Sequence, residues 1–191
     1  MREILKKKFK PRIRARIRRN KQIFSKNIDS FFDWIKGAEL VELKECNTEE
    51  DPVRPELDNV FRRSYGRKIF GVKYLGEIHA VMCFAYTNKI PKNVEELDKF
   101  SHDAFLQSAQ RDQNVGQIAI AYTVWSKKKG GGKLIVKEVF KKIKKSNHLD
   151  RLVTLSPLTQ MATRFHKKNG AKLIQVNETT QNFEYQVEKK Y

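Results

Sequence analysis

The sequence predicts a three-layer α+β domain with a basic N-terminal arm, on three observations. From residue 38 onward, strand and helix candidates follow the order β-α-β-β-(insert)-β-α-β-α-β-β. One stretch, YTVWSKKKGGGKLIVKEVF (122–140), joins an apolar strand to an amphipathic helix through three lysines and three glycines. The charge is also segregated: the chain carries a net +18, and twelve Lys/Arg lie within residues 1–26 beside one acid, Glu3.

Each element has its own signal. Ile23, Phe24, Ile28, Phe31, Phe32 and Ile35 recur at spacings of three and four, predicting a docking helix over 22–36 stopped by Gly37. ELVELKECN (39–47) reads as a strand. The acidic run Thr48–Asp51 opens a helix expected over 55–65. Residues 67–87 read as a hairpin turning at Leu75-Gly76-Glu77. Residues 88–114 are polar, helical after Asn93, and expected to be an excursion from the core. VGQIAIAYTVWS (115–126) is a strand leading into the glycine turn, and the next helix puts Ile135, Val136, Val139, Phe140 and Ile143 on one face. RLVTL (151–155) is a buried strand. Leu158, Met161, Ala162 and Phe165 mark a helix up to Gly170, and residues 171–177 and 182–188 close as a strand pair.

Two scattered cysteines, Cys46 and Cys83, are expected to be buried and reduced, and four scattered histidines predict no metal site. No membrane span or secretory signal is expected. The domains are drawn at 1–37, arm and docking helix, and 38–191, the main domain.

The glycine turn can cradle an anion. Glycines let several backbone N–H groups point one way, and the following helix adds its positive end. A Walker loop is excluded because Leu134 follows Gly132-Lys133, and a dinucleotide fingerprint fails at Ile135. A solvated lysine-rich turn is the ordinary alternative. Lys127-x-x-Gly130-x-Gly132 fits a third pattern, basic-x-x-Gly-x-Gly/Ala. It resembles the acyl-CoA pyrophosphate loop of the GNAT superfamily of N-acetyltransferases. ATRFHKKNGAKLI (162–174) is similar to that family's A-x-x-F-Y-x-K-x-G-F segment, with His166 in place of tyrosine and Ala171 in place of the aromatic. VTLSPLTQMATRF (153–165) looks like the corresponding stretch of malonyl-CoA decarboxylases, whose catalytic domain is GNAT-like. There the serine acts with a later histidine; Ser156 matches, but no histidine follows His166.

The resemblance implies a mixed, mostly antiparallel central sheet flanked by helices. It implies acetyl-CoA or another acyl-CoA as co-substrate, held by Lys127, Lys129, Gly130, Gly131, Gly132 and Lys133. The thioester contact is expected from backbone near Thr123 or Val124. No carboxylate lies in the strand 116–126, so the general base is sought in Glu77, His79 or the more distant Asp112. His166, as imidazolium, is expected to protonate the leaving thiolate. Ser156 is a decarboxylase candidate or a turn residue before Pro157.

The arm, through Arg12, Arg14, Arg16, Arg18 and Arg19, could lie along RNA or DNA, or serve targeting or solubility. Three functions stay open: an acyl-CoA-dependent N-acyltransferase near a polyanionic partner, a non-catalytic component of a ribonucleoprotein or virus particle, and an acyl-CoA decarboxylase, in that order. The expected location is cytoplasmic or another reducing compartment, with a virion or organelle as the alternative.

Overall fold

The structure, a computed structural model, describes residues 30–111 and 116–186. The arm with its five named arginines, the predicted helical residues 22–29, and Asp112 lie outside the described residues. The chain divides into two units, Met1–Ala38 and Glu39–Tyr191. In the first, residues 30–37 form a helix (α1) on which the Phe31 and Phe32 rings meet edge-on at 6.3 Å.

The second unit is built on one eight-stranded sheet. Its strands are β1 (Glu39–Leu43), β2 (Lys68–Tyr74), β3 (Glu77–Thr87), β4 (Ile118–Ser126), β5 (Arg151–Thr154), β6 (Ser156–Pro157), β7 (Lys172–Val176) and β8 (Thr180–Tyr185). The order is β1-β2-β3-β4-β5-β8-β6, with β7 paired to β8; β4–β5 is the parallel pair and the other pairings are antiparallel. The helices are α2 (Asn59–Arg63), α3 (Val94–Arg111), α4 (Gly131–Lys144) and α5 (Gln160–Lys168). Among the described residues no helix is long and apolar enough to cross a membrane.

Alternation along β3 divides the core. Val81, Cys83 and Ala85 join Ile69, Ile120 and Val153 in one buried cluster, and Leu97 of α3, fully buried, belongs to the same cluster. The 88–114 stretch is therefore no excursion: α3 is a packing layer. Leu75 and Gly76, both at positive φ, make the hairpin turn where it was expected.

Three other expectations shift. The helix expected over 55–65 shortens to α2, capped by Asp58, and Thr48–Glu50 is a 3-10 turn capped by Asn47. Cys46 lies outside the strands and is only part-buried. Leu158 and Met161 are exposed, so the helical stripe up to Gly170 is incomplete.

One irregularity positions the site. On β4, Thr123 pairs with Cys83 and Ala121 with Phe84, leaving Tyr122 as an extra residue. Such a bulge bends and twists its strand. The parallel ladder to β5 runs only from Ile118↔Arg151 to Ala121↔Thr154, followed by one bond from Leu155 N–H to the Ala121 carbonyl at 2.9 Å. Past that point Arg54 bridges the two strands instead, donating from Nε to the Tyr122 carbonyl (3.0 Å) and from Nη2 to the Leu155 carbonyl (3.3 Å).

Candidate active site

The turn after β4 is fixed by backbone. Lys127 N–H donates to the His79 carbonyl at 2.9 Å and Gly131 N–H to the Lys128 carbonyl at 2.9 Å. Gly130 caps α4 at φ 86°, a left-handed conformation that favours glycine. Gly131 and Gly132 answer to space. A Cβ on Gly131 would stand 3.0 Å from Ser126 Cβ, and one on Gly132 would stand 3.2 Å from the Phe165 ring. The start of α4 thus lies against β4 and α5, with its first-turn N–H groups ahead of any helical acceptor. Lys129 and Lys133 are exposed, and Lys127 Nζ lies 2.7 Å from Glu50 Oε1.

Beyond the turn a cavity of about 340 Å³ opens along the end of β4 and β5. Thr123 and Val124 line it, with Met82, Val136, Leu155 and Phe165 among its apolar walls and the segment Glu50–Val53 on another side. That segment is held by Asp51. Its carboxylate accepts from Thr123 Oγ1 at 2.8 Å, from the Val53 and Arg54 N–H groups, and from Arg62 Nη2 at 2.8 Å. Both side chains of the Asp51–Arg62 pair are fully buried. The Thr123 hydroxyl is thereby engaged, and its backbone is what the residue offers to a ligand.

The far wall holds a chain of polar groups. Ser156 Oγ lies 2.8 Å from His166 Nε2, and His166 Nδ1 lies 3.0 Å from the Tyr185 hydroxyl. Ser156 Oγ also reaches Thr154 Oγ1 at 3.0 Å, which accepts from Phe183 N–H at 3.1 Å. The three side-chain partners are each under a tenth exposed: Ser156 5%, His166 6%, Tyr185 6%. Burial lowers the His166 pKa from 6.5 to about 4, and burial raises that of Tyr185. The imidazole is neutral near pH 7. In the tautomer that accepts from Tyr185 at Nδ1, the ring proton sits on Nε2 and faces Ser156.

Solved structures share this architecture. A GNAT-like decarboxylase, GphF, in complex with isobutyryl-CoA superposes with a TM-score of 0.61 over 78% of this chain and 100% of its own, at 9% identity. The loading GNATL domain of CurA from Lyngbya majuscula gives 0.56 at 12% identity, over 78% of this chain and 98% of its own. The smu.2055 protein of Streptococcus mutans UA159 gives 0.50 at 13% identity, over 78% and 99%. The fold is GNAT-like. At these identities the likeness is one of fold alone, and no protein-family profile or curated protein sequence matches the chain.

Within the GNAT fold the expected residues fall into two groups. Thr123, Val124, Lys127, Gly132, Ser156 and His166 line the main cavity, with Lys129, Gly130, Gly131 and Lys133 on its adjoining turn. Glu77 and His79 do not join them. Glu77 is 80% exposed beside the hairpin turn, 3.9 Å from His79 Nε2, and His79 lines a separate cavity of about 220 Å³. Burial disfavours the imidazolium expected at position 166. No histidine follows His166, and the histidine that Ser156 meets is His166 itself. Sequence reasoning missed Tyr185, Thr154, Arg54 and Glu50. Tyr185 reads as one more apolar position in a strand, and nothing in the sequence aligns it with residues 156 and 166.

Proposed function

We propose that the cleft binds an acyl-CoA and that the chain decarboxylates a malonyl-type thioester there. The observation that carries this reading is the buried Ser156–His166 hydrogen bond of 2.8 Å. Loss of CO2 from the malonyl group leaves an electron pair shared between the α-carbon and the thioester oxygen, an enolate. A hydroxyl donor at that oxygen stabilises the charge as it develops, most effectively where water is excluded. Ser156 is assigned that role, its O–H turning from Thr154 Oγ1 to the enolate oxygen, with His166 holding the hydroxyl and Tyr185 holding the ring. The carbanion carbon then takes one proton through the same chain, resupplied from water. The balance is malonyl thioester plus one proton giving acetyl thioester and CO2. The N–H groups at Gly132 and Lys133 are assigned to the pyrophosphate, with Lys129 and Lys133 adding charge. The decarboxylase-like TLSP run and the similarity to GphF support the reading.

N-acyl transfer is the second reading, and one feature favours it. Glu50 lines both the main cavity and the smaller one, so a carboxylate stands where an amine approaching from the second cavity would meet the thioester. Chromatography of the thioesters after incubation with malonyl-CoA, with and without a primary amine, separates the two. Acetyl-CoA formed without amine supports decarboxylation. Acylated amine and free CoA, formed only when amine is added, would replace it with transfer.

A further inference from the structure

Beyond its first turn, the outer face of α4 takes no part in the cleft. From Lys127 to Lys145 the chain carries nine lysines and one acid, Glu138. The helix buries Ile135, Val139 and Ile143, while Lys133, Lys137, Lys141 and Lys144 are exposed. These four recur at spacings of four, four and three, so they form one row on the side away from Val139. At a rise of ~1.5 Å per residue the row is about 16 Å long. Lys141 is paired with Glu138 at 2.8 Å yet stays half exposed, and Lys144 Nζ lies 4.9 Å from the Phe140 ring centroid.

We propose that this row is a docking surface for duplex nucleic acid, contacting the phosphates of the backbone. Lys133/Lys137 and Lys137/Lys141 are like-charge pairs at i,i+4, mildly unfavourable to a helix and only partly offset by Glu138, so an anionic surface laid over the row relieves them. A thioester pyrophosphate would meet only the first turn, whereas Lys137, Lys141 and Lys144 lie one to two turns or more beyond it. A duplex presents a charge every ~1.7 Å along its axis and can cover the whole row. Other polyanionic surfaces fit less well. The exposed large apolar side chains among the described residues all lie outside this turn and helix, leaving nothing there to insert into a membrane. For the same reason the row offers no exposed aromatic on which single-stranded bases would stack.

The test uses the full chain with its N-terminal arm intact. A 20-base-pair duplex is titrated at several salt concentrations against the parent, a row variant (Lys137→Gln, Lys141→Gln, Lys144→Gln) and a charge-matched control (Lys89→Gln, Lys92→Gln, Lys99→Gln). At ~0.9 per phosphate contact, the row variant should flatten the log–log salt slope by about 2 to 3, with the control matching the parent. An unchanged slope in the row variant overturns the proposal, and so does equal flattening in both variants, which would reflect bulk charge. Binding of the parent to phosphatidylserine vesicles but not to the duplex overturns it in favour of a membrane surface.

Discussion

At one end of the cleft, the turn from Lys127 to Lys133 is largely exposed, lysine-rich and shaped by backbone, with glycines where a Cβ would strike Ser126 or Phe165. At the other end, Ser156, His166 and Tyr185 are buried and joined side chain to side chain at 2.8 and 3.0 Å. On the proposed reading the first end would grip through N–H groups and screened charge, so its lysine side chains act only through that charge. The second tolerates the loss of no member, because an unpaired polar group in a dry wall is costly. Between them stands Arg54, whose donors replace the ladder that β4 and β5 no longer make. If the two ends serve binding and chemistry as proposed, substitutions at them should divide affinity from turnover.

The largest effect is expected at the buried end. His166→Ala should lower turnover of malonyl-CoA by about 10²- to 10⁴-fold, while calorimetry finds CoA affinity within about twofold of the parent. A fall in affinity matching the fall in rate would erase the distinction between the ends. Ser156→Ala follows, with a loss of about 10²- to 10³-fold, as for removal of one donor to a developing oxyanion.

Acid sharpens the same contrast. The unfolded chain protonates His166 near pH 6.5 and the folded chain only near 4. The stability associated with the neutral ring is thus whole above pH 6.5 and falls as pH drops toward 4, by at most about 3 kcal/mol. Urea unfolding at pH 7.5, 5.5 and 4.5 should show that decline, with a smaller one in His166→Ala. A parent whose stability rose on acidification across this window would contradict a neutral buried imidazole.

At the exposed end the expected effect is smaller and lies in affinity. Lys129→Glu with Lys133→Glu should weaken CoA binding by about 10- to 100-fold at low salt, and less as salt rises. The rate at saturating substrate should stay near that of the parent. A rate loss with unchanged affinity would mean that these lysines act on the reacting end.

The two ends also differed in how far the sequence disclosed them. The turn is contiguous, so its glycines, lysines and following amphipathic helix could be read directly, as could the order of strands and helices. The relay is assembled from residues 156, 166 and 185, which β6, α5 and β8 bring together only because β8 runs between β5 and β6. A tyrosine alternating with apolar neighbours carries no sign of that partnership. The burial of His166 is hidden from the sequence for a related reason. His166 sits beside Lys167 and Lys168, which are exposed, and only the helix's inward face shows it buried against Phe183, whose ring stacks at 5.0 Å. The bulge at Tyr122 is likewise invisible in an unbroken apolar strand.

The most direct measurement is release of labelled CO2 from malonyl-CoA labelled at its free carboxylate, by the full chain without any amine. The account predicts labelled CO2 and acetyl-CoA in equal amounts, with both reduced at least about 10²-fold in His166→Ala and CoA binding retained. Retained label in the thioester pool, in a chain that binds malonyl-CoA, would contradict decarboxylation at the Ser156–His166 pair.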